Sequence, residues 1–191
     1  MKTVLKTAPV LFPVTLTEAK KQCEIIGTDH DDYIEYLIAV ATDQVEQYLR
    51  RRLITQTWYL YMDDWPRADY FNLPFGKLQS VTSIAYKDED GDSSTFASAD
   101  YIVEITSDPG RVVLGYSKSW PTDTLYPSNP ITVEFVCGYG LTGASVPAAI
   151  RHAIRVAISD MFEQREEIVI GTISSRIDIG KSLLEPHRLW V

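Results

Sequence analysis

The longest regular alternation of hydrophobic and polar positions covers residues 31–52, where Ile34, Leu37, Ile38, Ala41, Val45, Tyr48 and Leu49 recur at helical spacing. This stripe predicts a helix of about six turns. Asp29, Asp31 and Asp32 stand at its start and Arg50, Arg51 and Arg52 at its end, so side-chain charge complements the backbone dipole at both termini. Tyr33, Tyr36 and Val40 fall outside the stripe, on a flank opposite the charged arc of Glu35, Asp43, Glu46 and Arg50. That flank either borders the same core or meets a second partner.

Upstream, Thr15-Leu16-Thr17-Glu18 has the form of a capping box and predicts a short helix to about Ile25. Gly27-Thr28-Asp29 breaks it and turns the chain into the long helix as an antiparallel pair. Residues 1–14, with Pro9 and Pro13, form an extended lead-in.

After Arg52 the period changes. Residues 55–62 are rich in aromatic and β-branched side chains, as a pleated surface prefers. Further strands are predicted over 78–86, 101–105, 111–116 and 130–137. Gly91 serves one hairpin turn and Asp108-Pro109-Gly110 another, while 63–74, with its prolines, is a loop or a broken edge and 117–130 a proline-containing loop. Pro147 then opens a third helix, whose stripe is Ile150, Ala153, Ile154, Ala157, Ile158 and Met161.

The expected fold class is α+β: a small helical bundle over 15–53 and 145–167, with an antiparallel β sandwich or barrel over 54–144 inserted between the second and third helices. Residues 168–191 are a basic and apolar tail suited to docking, either on its own body or on a neighbour.

Composition narrows the function. A chain of 191 residues that is 45% hydrophobic and 23% charged can bury a real core, and disorder throughout is not expected. A net charge of −8 argues against tight nucleic-acid binding, which depends on cations displacing counterions from phosphates. Cys23 and Cys137 lack the spacing of a zinc site or a disulfide framework. The longest clearly apolar run, 37–41, is far too short to span a membrane, and the proline-interrupted start does not have the form of a signal peptide. A cytosolic protein or a part of a soluble particle is expected.

Three motifs invite chemistry. Gly138-Tyr139-Gly140-Leu141-Thr142-Gly143 matches GxGxxG between a strand and a helix, but a dinucleotide site also needs a βαβ unit and an acidic residue ending the second strand, and neither is evident. The run Asp88-Glu89-Asp90-Gly91-Asp92 lacks the glycine and glutamate positions of an EF-hand loop and is expected to be a solvated hairpin tip. His30, His152 and His187 have no metal-like spacing, and no serine or cysteine is framed as a nucleophile. No catalytic residue, metal or cofactor is expected.

The segments VTLTEAKKQCEIIGTDHDDYIEYLIAVATDQVEQYLRRRLITQTW, LPFGKLQSVTSIAYKDEDGD, ITVEFVCGYG and VPAAIRHAIRVAISDMFEQRE, in that order, resemble the head–tail connector or adaptor proteins of long-tailed bacteriophages and gene transfer agents, in their larger subfamily with a β domain between the helices. The likeness runs from about Val14 to Glu167, and LLEPHR near the end resembles that subfamily's ending. The resemblance implies a structural virion protein, assembled in the bacterial host cytoplasm. It implies a homo-oligomeric ring, dodecameric in the virion, beneath the portal protein. Such a ring extends the DNA channel, lets DNA pass without sequence-specific binding, and gives a stopper or tail protein its platform. A cyclic ring requires heterologous contacts. Tyr33, Tyr36, Val40 and Arg51 are the candidate inter-subunit residues. Arg176, Lys181, Leu183, Leu184, His187, Arg188, Leu189 and Trp190 are the candidate portal-docking residues of the tail. The alternatives are another virion ring component, a stopper or tail terminator, and a nucleotide-dependent enzyme using residues 138–143.

Overall fold

A computed structural model describes residues 1–164 and 182–190. In chain order the elements are β1 (Lys2–Thr7), α1 (Leu16–Gln22), α2 (Asp31–Leu49), β2 (Gln56–Met62), β3 (Tyr70–Asn72), β4 (Leu78–Lys87), β5 (Ser93–Thr95), β6 (Tyr101–Glu104), β7 (Arg111–Leu114), β8 (Ile131–Cys137) and α3 (Ala148–Glu163). They divide between two compact units. One holds Met1–Pro9 and Thr55–Gly138; the other holds Val10–Ile54 and the described residues from Tyr139 onward.

The helical unit follows from its end signals and stripes. The Thr15 hydroxyl accepts from the Glu18 amide at 3.2 Å and the Glu18 carboxylate accepts from the Thr15 amide at 2.9 Å, so the capping box forms. α2 buries Ile34, Leu37, Ile38, Ala41, Val45 and Leu49. It ends where Arg50 takes a left-handed φ of 54°, and the amides of Arg50 and Arg51 donate to the carbonyls of Gln47 and Glu46. The arginine triplet therefore follows the helix instead of filling its last turn, which contains no basic residue. α3 supplies Ile150, Ala153, Ile154 and Ile158 to the same core, with Ala19 from α1. Each large aliphatic side chain buried there contributes about 1.5–3 kcal/mol.

The β unit contains two antiparallel sheets, one ordered β1-β2-β8-β4-β5 and one ordered β3-β7-β6. β8 lies at the centre of the larger sheet and alternates as the period of two requires: Ile131, Val133, Phe135 and Cys137 are buried, and the residues between them are half-buried. In register, Leu60 of β2 lies opposite Val133 and Met62 opposite Ile131. Phe71, Tyr101 and Val112 of the smaller sheet share this core. Both sheets are open. The barrel alternative is thus corrected: β1 and β5 each pair on one side only, so the larger sheet does not close on itself.

Three strands fall outside the expected ones: β1 occupies part of the expected lead-in, β3 lies in the stretch 63–74 expected to be a loop or a broken edge, and β5 follows the hairpin turn at Gly91. All three sit at sheet edges; β1 and β5 bury no side chain, and β3 buries only Phe71 in its 3 residues.

Candidate assembly surfaces

Within the helical unit, the four residues assigned to an inter-subunit flank separate. Tyr33 is half-buried and packs on Phe162 of α3, with ring centroids 6.0 Å apart. Tyr36, one turn on, is 63% exposed, and Val40 is half-buried. These three lie on one face of α2 by their spacing. Arg51 does not join them. It is only 6% exposed, and its Nε donates to the backbone carbonyl of His187, so its guanidinium is used inside its own chain.

That contact is one of several that seat the end of the chain on the last turn of α2. The amide of Leu189 donates to the Leu49 carbonyl at 2.9 Å, satisfying a carbonyl that the helix end leaves without an intrahelical partner. The Tyr48 hydroxyl donates to the Glu185 carboxylate, which raises the tyrosine pKa. The Arg188 guanidinium lies 5.0 Å from the Tyr48 ring centroid and 4.7 Å from that of Trp190. Leu184 and Leu189 are buried, and Leu184 belongs to the helical core.

The docking-arm expectation is therefore corrected for those two leucines, which anchor the segment to its own unit. Leu183 and His187 are half-buried and Trp190 is 69% exposed. Arg176 and Lys181 lie outside the described residues.

Where the chain leaves α2, Glu46 accepts from the Leu53 amide at 2.8 Å and from Arg52 Nη1 at 2.9 Å. Burial nevertheless holds its carboxyl above the ordinary range, and these two bonds oppose that shift only in part. The corner thus carries a tied, largely buried carboxylate.

The same unit has an open groove of about 630 Å³, walled by Val10, Phe12, Leu16, Ile38 and Ala144 among others. Arg151 pairs with Glu18 at the groove, and its Nε donates to the Pro13 carbonyl at 3.2 Å. The Thr15 amide, ahead of Arg151, holds the Glu18 carboxyl below its ordinary pKa. Arg151, Glu18, Thr15 and the Pro13 carbonyl are thus engaged with one another, and most of the other groove residues are apolar.

The glycine-rich turn has steric duties. A Cβ on Gly143 would sit 2.3 Å from the Pro13 carbonyl oxygen, and one on Gly140 would meet the Ser145 side chain at 2.4 Å. β8, which precedes the turn, is antiparallel to both its neighbours, unlike the first strand of a βαβ unit. At the acidic hairpin, Asp88 Oδ1 accepts from the amides of Asp90 and Asp92 at 3.2 and 2.9 Å, closing its own turn. Among the described residues no three His, Cys, Asp or Glu side chains are grouped to hold a metal.

Residues 13–107 match the family model for phage gp6-like head-tail connector proteins. The chain belongs to the head-tail connector family. The connector's fold is also that of chains in solved necks. A chain from the neck of an empty gene transfer agent particle, computed with C6 symmetry, superposes with a TM-score of 0.82 at 16% identity, covering 100% of this chain and 97% of that one. A chain from the virion of a native gene transfer agent gives 0.80 at 16% identity, with the same coverage. One from a native neck computed with C12 symmetry gives 0.71 at 18%, again with that coverage. At these identities the likeness is one of fold. No curated protein matches the chain.

The contacts of the connector that sequence reasoning missed are the Arg51–His187 bond, the burial of Leu184 and Leu189, and the exposed wall Val10–Phe12. The first two are long-range and leave no local signal. Val10, Leu11 and Phe12 could have been found as three apolar residues enclosed by Pro9 and Pro13.

Proposed function

We propose that this connector is a structural component of the head–tail interface, forming a ring beneath the portal that extends the DNA channel and offers a platform to a stopper or tail protein. The family match, together with a fold shared over the whole chain with neck proteins of gene transfer agent particles, carries the reading. The surfaces agree with it: a tied-off ion pair in an apolar groove and a glycine turn occupied by steric duties suit protein contact more than turnover. Copies meet through the Tyr33, Tyr36 and Val40 face of α2, and the outward residues of the last segment, Leu183, His187 and above all Trp190, face the portal.

Mixing the purified connector with portal particles and imaging them by negative-stain electron microscopy tests this. A ring stacked coaxially on the portal is the expected result. Particles that bind only after another neck protein is present would indicate a stopper or terminator, and no association at all would refute the role. In the same assay Trp190→Ala is expected to weaken portal binding by about tenfold or more, as loss of an exposed aromatic anchor does. Wild-type affinity of that variant would remove the arm from the portal contact.

A further inference from the structure

β1 is an unusual strand. Among the described residues it pairs only with β2, at the edge of the larger sheet, and none of its side chains is buried; only Thr3 is even half-buried. Apart from the ladder, Lys6 supplies its visible anchors, an ion pair to Glu134 at 2.7 Å and a contact 5.1 Å from the Tyr59 ring centroid. The strand belongs to the β unit, yet the chain leaves it at Pro9 for the helical unit and returns only at Thr55, just before β2. Between them lies the proline-bracketed segment Pro9-Val10-Leu11-Phe12-Pro13.

Exposed apolar side chains concentrate in this region. Met1, Val4, Leu5, Val10, Leu11 and Phe12 are all exposed, Val10 at 94%. In a single copy Met1, Val4 and Leu5 of the β unit and Val10, Leu11 and Phe12 of the helical unit face solvent, and within either unit exposed apolar side chains close in sequence mark a contact with another molecule.

We infer that β1 is exchanged between neighbouring copies, each chain laying its first strand on β2 of the next. This rests on the ring proposed above, since each copy in a ring has a neighbour on either side. Every ladder bond and the Lys6–Glu134 pair are recovered in the exchanged form, because the acceptor is an identical sheet edge. Little side-chain packing is lost on leaving, because none is buried. The extra gain is at the hinge, where Val10, Leu11 and Phe12 pass from one copy to the next and are covered by both.

Cross-linking across the ladder decides the matter. Val4 lies opposite Tyr59 and Lys2 opposite Tyr61 in register. Rings are assembled, on the portal if they do not form alone, from an equal mixture of Val4→Cys and Tyr59→Cys chains, each also carrying Cys23→Ala, and treated with a short bis-maleimide. Exchange predicts a band at twice the chain mass from the mixture and its absence from either variant alone. The double variant Val4→Cys/Tyr59→Cys should give a ladder of multiples. The Lys2→Cys and Tyr61→Cys pair, read in the same way, guards against a substitution that prevents folding. Rings in which the double variant yields only internally linked monomer, with no cross-linked product from the mixture, overturn the exchange and leave the connector role standing. Failure to form rings under any condition overturns both.

Discussion

Gly143 shows how one missing side chain positions a wall of the apolar groove. The segment carrying Pro13 runs so close to the turn before α3 that a Cβ at Gly143 would lie 2.3 Å from the Pro13 carbonyl oxygen. Backbone cannot swing aside as the end of a flexible side chain can. Gly143→Ala is therefore expected to cost about 1–3 kcal/mol, the range for overpacking, seen as a lowered urea midpoint with an unchanged slope. A variant as stable as the parent would mean that the two segments separate freely. Glu104 makes a second residue-scale case, through charge. The side chains of Ser107 and Thr106, then their amides, hold its carboxyl down to about 2 from an ordinary 4.5. A lowered folded-state pKa means that the unfolded chain binds the proton first. The contribution of Glu104 is thus fully present above about pH 4.5 and is lost as pH falls toward about 2. Carboxyl carbon shifts followed by NMR should show Glu104 still ionised at about pH 3. A midpoint near that of ordinary glutamates would show that the hydrogen bonds around the turn do not persist in solution.

At the scale of elements, the helices were legible because their instructions are local. The Thr15/Glu18 box, the stripe of α2 and the stripe of α3 each specify an element within a few turns, and the core is built from those stripes. Strands bearing one buried face, such as β8, were legible by alternation. β1 was not, because a strand exposed on both faces carries no period, and β3 is only 3 residues long. The final segment was legible only in part, for a different reason. Its apolar residues were correctly recognised as needing a cover, but sequence cannot say whose surface provides it, and for Leu184 and Leu189 the cover is their own unit. That difference separates the leucines from the tryptophan in a testable way. Leu184→Ala removes a side chain from the helical core and is expected to destabilise the protein by about 2–4 kcal/mol. Trp190→Ala, at 69% exposure, should stay within about 0.5 kcal/mol of the parent. Thermal unfolding of the two variants side by side checks this. Equal losses would mean that the whole segment, not its leucines alone, supports the fold.

For the whole molecule, the arrangement of sequence and the balance of charge bear on what a ring of this chain can do with DNA. Most large apolar residues are committed to two cores, and the first twelve residues hold several of the exposed ones. Chemistry of the nucleotide-binding kind finds no support in the glycine turn, whose close approaches are to the chain itself. Charge is the remaining whole-chain property, and at −8 it opposes the phosphate backbone. A protein that gripped DNA would neutralise phosphates with lysine and arginine and gain from released counterions. Here 18 basic residues are outweighed by 26 acidic ones, and Lys6, Arg52 and Arg151 are already paired with carboxylates. In the ring proposed above, weak attraction of this kind suits a channel wall along which DNA slides. Binding of a short duplex at about 0.15 M salt is therefore expected to be weaker than about 10⁻⁴ M, beyond the usual range for non-specific binders. Fluorescence anisotropy of a labelled duplex, titrated with the assembled ring and with the free chain, measures it. A micromolar affinity falling steeply with salt would place a cationic surface in the channel and require a wall that holds DNA instead of passing it.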